Sequence, residues 1–168
     1  MRIRFTSRTW VILALILSSC GGGGAGNPPD VVVGARSPDF SLPTIDGATL
    51  KSSSLKGNVV ILNFWATWCQ PCLGEIPVLQ DLAARSKARV VGIALDEGGA
   101  RVVKPFVADH GINYTVVIGN EQVFEQFNGL GIPYSLLLDS SQRIVKIYRG
   151  PITKEAIEQD LKTIGPGT

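Results

Sequence analysis

A chain of 168 residues is long enough for one domain with a real core and too short to expect two. A composition of 45% hydrophobic and 18% charged residues excludes a disordered polymer and a polytopic membrane protein. The net charge of +2 owes three of its 16 basic residues to Arg2, Arg4 and Arg8; without them 13 face 14 acidic ones, and no basic patch remains to attract nucleic acid.

The first element is a targeting segment. MRIRFTSR is basic, and Trp10 to Leu17 is a continuous apolar run. That run is shorter than the roughly 20 residues a bilayer span needs, and it suits the core of a signal peptide. Leu17-Ser18-Ser19-Cys20 follows and resembles the lipobox of bacterial lipoproteins. The expectation is a signal peptide over 1–19, cut before a lipidated Cys20. The stretch 20–32 is then a tether, with glycines at 21 to 24 and 26 for flexibility and Pro28-Pro29 to stiffen its end. The domain itself occupies 33–168.

Within the domain, Phe40 to Leu50 reads as a hairpin turning at Asp46-Gly47. Asn58 to Phe64 is a buried strand, rich in branched residues. Cys69 to about Ser86 reads as one helix, because Leu73, Ile76, Leu79 and Ala83 recur at spacings of three and four. Pro77 is expected to kink it. Arg89 to Leu95 is a second buried strand. Val102 to His110 is a helix with Pro105 near its first turn. A short strand at Tyr114 to Ile118 and a helical stretch at Glu121 to Phe127 follow. Ser135 to Asp139 and Ile144 to Tyr148 are strands joined by a turn. Thr153 caps a final helix whose Ile157, Leu161 and Ile164 share a face. Helices alternating with strands, then two adjacent strands and a closing helix, predict an α/β fold with a mixed sheet.

The chemistry lies in ATWCQPCLGEIP, residues 66 to 77. If Cys20 carries lipid, Cys69 and Cys72 remain as a pair, in a compartment where disulfides persist. A disulfide between residues three apart closes a small ring and is a poor staple, so reversible exchange suits the spacing better. Cys69, where strand gives way to helix, meets free N–H groups that favour a thiolate; it is expected to be the exposed attacking thiol. Cys72, one turn on, is placed to resolve a mixed disulfide. Pro71 suits the first helical turn. Two thiolates are half a zinc site, but there is no second CxxC and the only histidine, His110, is distant, so no metal and no cofactor are expected. Peroxide chemistry would call for Pro-x-x-x-Thr-x-x before the cysteine. Cys69 has Leu62 and Ala66 in that register, and Cys72 has Trp65 and Cys69.

Asn63 to Cys72 closely resembles the active-site stretch of thioredoxin-like proteins, and within them the membrane-anchored TlpA/ResA type of thiol–disulfide oxidoreductase. Pro38-Asp39-Phe40 with the hairpin resembles that type's N-terminal extension. Glu75 and Pro77 match its Glu-x-Pro, and Gly131-Ile132-Pro133 matches its cis-proline loop. The resemblance implies a thioredoxin fold: a mixed central sheet flanked by helices, with an N-terminal β-hairpin. It further implies dithiol exchange at Cys69 and Cys72, and client contact at Ile132 and Pro133. Thioredoxin has a buried aspartate at the position of Asn63, so Glu75 becomes the candidate proton acceptor for Cys72; its alternative is a solvated surface glutamate. Tyr134 replaces the usual threonine and is expected to alter the surface beside the sulfurs. Trp68 would shield the disulfide and dock clients, and Trp65 would pack behind the site. The implied partners are client proteins with disulfides or thiols, apocytochrome c among the client types, and a membrane electron donor. Three readings stand side by side: an envelope reductant, an oxidative folding catalyst using the same dithiol, and a redox-inert binding module.

Overall fold

A computed structural model of the chain describes residues 31–85 and 87–164. The expected signal peptide, Cys20 and the expected tether as far as residue 30 lie outside the described residues. Packing is already under way at Val31, which is buried in the core.

The sheet is built around β3 (Val60–Trp65), in which every residue is buried. Alternation along the strand divides its side chains between two faces. Val60, Leu62 and Phe64 join the core formed with Phe40, Leu42 and Leu50 of the N-terminal hairpin. Ile61 packs on the other face with Leu79, Leu82 and Ile157. Asn63 and Trp65 share that second face, so strand periodicity alone delivers a polar side chain beneath the helix carrying the cysteines. The hairpin strands, β1 (Ser41–Pro43) and β2 (Thr49–Lys51), are antiparallel and pair Leu42 with Leu50. Their turn uses Gly47 at φ 88°, where a side chain would be strained.

The remaining strands are β4 (Arg89–Ala94), β5 (Thr115–Ile118), β6 (Tyr134–Leu138) and β7 (Ile144–Arg149). The sheet order is β5-β4-β3-β6-β7. β3, β4 and β5 run parallel, whereas β6 and β7 are antiparallel to their neighbours. This is the mixed sheet expected, with the active-site strand at its centre.

Two helices depart from expectation. The helix after Cys69 is not one kinked rod. It is α1 (Gln70–Leu73), an interruption at Gly74 and Glu75, and α2 (Ile76–Ala84). The break falls before Pro77 because proline has no N–H for the carbonyl four residues back, that of Leu73, and its ring crowds that carbonyl. Pro77 instead lies in the first turn of α2, where a missing N–H costs nothing. The third helix, α3 (Ala100–Asp109), starts two residues earlier than expected and leaves Pro105 in its interior. α4 (Glu121–Gln126) is capped by Asn120, and α5 (Lys154–Thr163) by Thr153, whose hydroxyl accepts from the Ala156 N–H at 3.3 Å. No helix among the described residues is long and apolar enough to cross a membrane.

Candidate active site

β3 ends at Trp65, and the chain turns through Ala66, Thr67 and Trp68 into α1. The Cys69 N–H donates to the Ala66 carbonyl at 3.1 Å, which closes the turn. Cys69 then caps α1 in extended conformation, Pro71 fills the first turn, and a disulfide joins Cys69 to Cys72 across a Cα separation of 5.3 Å. α1 is a single turn, and the Cys69 side chain makes no capping hydrogen bond to it.

A second anchor comes from the end of β4. Asp96, buried, accepts from the Thr67 hydroxyl at 2.5 Å and from the Thr67 N–H at 3.2 Å. It fixes the turn two residues before Cys69. Sequence reasoning missed it; the available signal was an acidic residue directly after a buried strand.

The sulfurs are less open than expected. Cys69 is 4% exposed and Cys72 1%, both set among Trp65, Ala66, Ile76, Ala94 and Val103. Cys69, expected to be exposed, is instead buried together with Cys72 in this apolar cluster. Trp68 stands out beside it, 67% exposed, while Trp65 is buried behind.

Glu75 is not a surface residue: it is 1% exposed. The interruption between α1 and α2 turns it inward onto β3. Asn63 Nδ2 donates to its Oε1 at 2.7 Å, and the Ile152 N–H donates to its Oε2 at 2.8 Å. Burial pushes its carboxyl up from 4.5 to about 6, and the hydrogen bonds from Ile152 and Asn63 oppose part of that rise. Asn63 Nδ2 also donates to Ser135 Oγ on β6 at 2.9 Å. Ser135 and Ile152 carry no local sequence signal, since they reach the site only through strand pairing and the turn before α5.

The Ile132–Pro133 peptide bond is cis. Ile132 packs against the cluster that contains both cysteines. The Pro133 carbonyl accepts from the Gly150 N–H at 2.9 Å. Tyr134 does not form the surface beside the sulfurs. It is buried on the opposite face of the sheet with Phe64 and Phe124, and its hydroxyl donates to the Phe127 carbonyl at 2.9 Å. The alternation of β6 decides this: with Tyr134 on the far face, Ser135 falls on the disulfide side. His110 is an exposed residue at the end of α3, stacked on Phe106. Among the described residues no group of three or more His, Cys, Asp or Glu could hold a metal ion.

A CxxC pair between a central strand and its helix, facing a proline loop on the adjoining antiparallel strand, defines the thiol–disulfide oxidoreductases of the thioredoxin fold. Comparison with known proteins reaches the same class. Residues 33–163 match the AhpC/TSA family, and the chain belongs to it. It is 35% identical over 164 residues to the thiol–disulfide oxidoreductase ResA of Bacillus thuringiensis, covering 93% of this chain and 95% of that one. A crystal structure described as the thiol:disulfide interchange protein DsbE of Chlorobium tepidum superposes with a TM-score of 0.73 at 31% identity, covering 79% of this chain and 97% of that one. The pneumococcal exposed lipoprotein thioredoxin of Streptococcus pneumoniae gives 0.65 at 27% identity, covering 75% and 99%. The protein is a thiol–disulfide oxidoreductase.

Proposed function

We propose that the protein is a lipid-anchored reductant of the bacterial cell envelope, acting on disulfides of exported client proteins. The reduced Cys69 thiolate attacks one sulfur of a client disulfide. That bond breaks, the other client sulfur leaves as a thiolate, and a Cys69–client mixed disulfide forms. Glu75 takes the Cys72 proton. The Cys72 thiolate attacks the Cys69 sulfur, the second client sulfur leaves, and the Cys69–Cys72 disulfide forms. The client gains two electrons, and a membrane donor returns two to this protein. Trp68, Ile132 and Pro133 form the contact surface for the client.

The observation that carries the direction is Gln70-Pro71 between the cysteines. With no imidazolium there, nothing over-stabilises the Cys69 thiolate and makes the disulfide a strong oxidant. The similarity to ResA and to an exposed lipoprotein thioredoxin supports the reading. The leader, Cys20 and the glycine tether would hold the domain near its electron donor and raise the effective concentration.

The test is the redox state in the cell. Acid-quenched, alkylated cells should hold Cys69 and Cys72 mostly as thiols while the electron supply is intact. Finding a disulfide, with a potential near that of a strong oxidant, would assign oxidative folding instead. Intact-mass analysis of the membrane fraction should show cleavage before Cys20 and added acyl mass; a soluble product retaining residues 1–19 sinks the anchor.

A further inference from the structure

We infer that Asn63 and Ser135 are positioning residues for Glu75: the Ser135 hydroxyl holds the Asn63 amide so that its N–H, not its carbonyl, meets the carboxylate. The inference rests on Glu75 being the proton acceptor for Cys72, and it concerns what sets the proton affinity of that group.

The geometry is specific. Asn63 and Ser135 are directly paired across the antiparallel β3–β6 ladder, and both lie on the face beneath the α1–α2 interruption. An amide nitrogen has two hydrogens. One goes to Glu75 Oε1 at 2.7 Å and the other to Ser135 Oγ at 2.9 Å, so both are used. Turned over, the amide would set its carbonyl oxygen against an ionised carboxylate in a buried site, acceptor against acceptor. In the observed orientation Asn63 can only donate to Glu75, and a donor stabilises the ionised form.

Burial acts the other way and favours the protonated form. The Asn63 donor opposes that desolvation and keeps the carboxyl within reach of neutral pH, where a group that accepts and returns a proton works best. An aspartate at position 63 could not donate when ionised. An alanine at position 135 would leave the second amide hydrogen without an acceptor.

Among the described residues, Glu75 has hydrogen-bond partners on two elements and neighbours on others. Cys72 precedes it by one turn in α1, Asn63 comes from β3, Ser135 lies behind Asn63 on β6, and the Ile152 N–H comes from the turn before α5. Tyr114, whose phenol is pushed up by burial and by the charge of Glu75, stays neutral through the working range. In the oxidised protein the two cysteines do not titrate. The Glu75 carboxyl can therefore be followed there without interference from the sulfurs.

The experiment has two readouts on Asn63→Leu and Ser135→Ala. The first is the titration of the Glu75 carboxyl in the oxidised protein, by carbon-detected NMR. The second is the pH profile of mixed-disulfide resolution by Cys72 in the reduced protein. Asn63→Leu should move the carboxyl titration up by about one pH unit or more, the loss of one charge-assisted hydrogen bond. Ser135→Ala should move it in the same direction by less, and it keeps the test alive if the leucine variant does not fold. The resolution profile should follow both shifts. An unchanged carboxyl titration in Ser135→Ala and in folded Asn63→Leu overturns the positioning role. A moved titration with an unmoved resolution profile upholds the positioning role and instead removes Glu75 as the proton acceptor.

Discussion

Two buried carboxylates flank the dithiol, and they are held in opposite ways. Asp96 lies before the cysteines and spends its oxygens on a single residue, taking both the hydroxyl and the N–H of Thr67. Glu75 lies after them and accepts from side chain and backbone groups 12 and 77 residues away in sequence. The first carboxylate holds a turn in place. The second is itself held in place, with burial and hydrogen bonds pulling its proton affinity in opposite directions. A fixed scaffold thus stands on one side of the dithiol and a titratable group on the other.

The largest expected effect falls between the two flanks. Cys69→Ser should abolish exchange, whereas Cys72→Ser should accumulate covalent Cys69–client adducts on a non-reducing gel. Adducts on Cys69→Ser alone would reverse the two roles. On the Asp96 side, Asp96→Ala should cost up to about 2 kcal/mol in urea unfolding of the oxidised protein, since the half-buried Thr67 hydroxyl and N–H lose their acceptor. Unchanged stability would mean that the Thr67 turn holds without it.

On the Glu75 side the effect appears in pH dependence. The carboxyl titrates at about 6 in the folded protein against 4.5 ordinarily, so between those values the native state binds more protons than the unfolded one. The Glu75 contribution to stability should therefore be fully present below about 4.5, fall by about 2 kcal/mol as pH rises through about 6, and level off above. Glu75→Gln should flatten that slope, and a slope that survives the substitution belongs to another group. Smallest is Trp68→Ala, which removes an exposed ring from outside both anchors. It should change stability by less than about 0.5 kcal/mol and raise KM for protein clients without lowering kcat. A loss in kcat would place the ring in the chemistry.

The strands were legible in the sequence because they are continuous apolar runs, and β3 and β4 fall within a residue or two of the expected limits. The hairpin followed from Asp46-Gly47, and the final helix from its Thr153 cap. The helix break was misread. Periodicity continues through Pro77, but periodicity reports which side chains face the core, not whether each backbone hydrogen bond is made. Cys69, Cys72 and Pro133 were marked by motif, since their chemistry depends on residues adjacent in the chain.

By itself the sequence determined the reactive pair, the mixed sheet that carries it and the turn residues around it, all of which follow from local spacing and from burial patterns of period two and 3.6. Tertiary structure alone decided which polar groups surround that pair. Ser135 reaches Asn63 only through strand pairing, Ile152 reaches Glu75 across 77 residues, and Tyr134 turns away from the sulfurs because β6 has that face and not the other. A carboxylate's proton affinity depends on its burial and on which donors face it. Both are properties of elements that meet in space and leave no mark on the residues beside Glu75 in the chain.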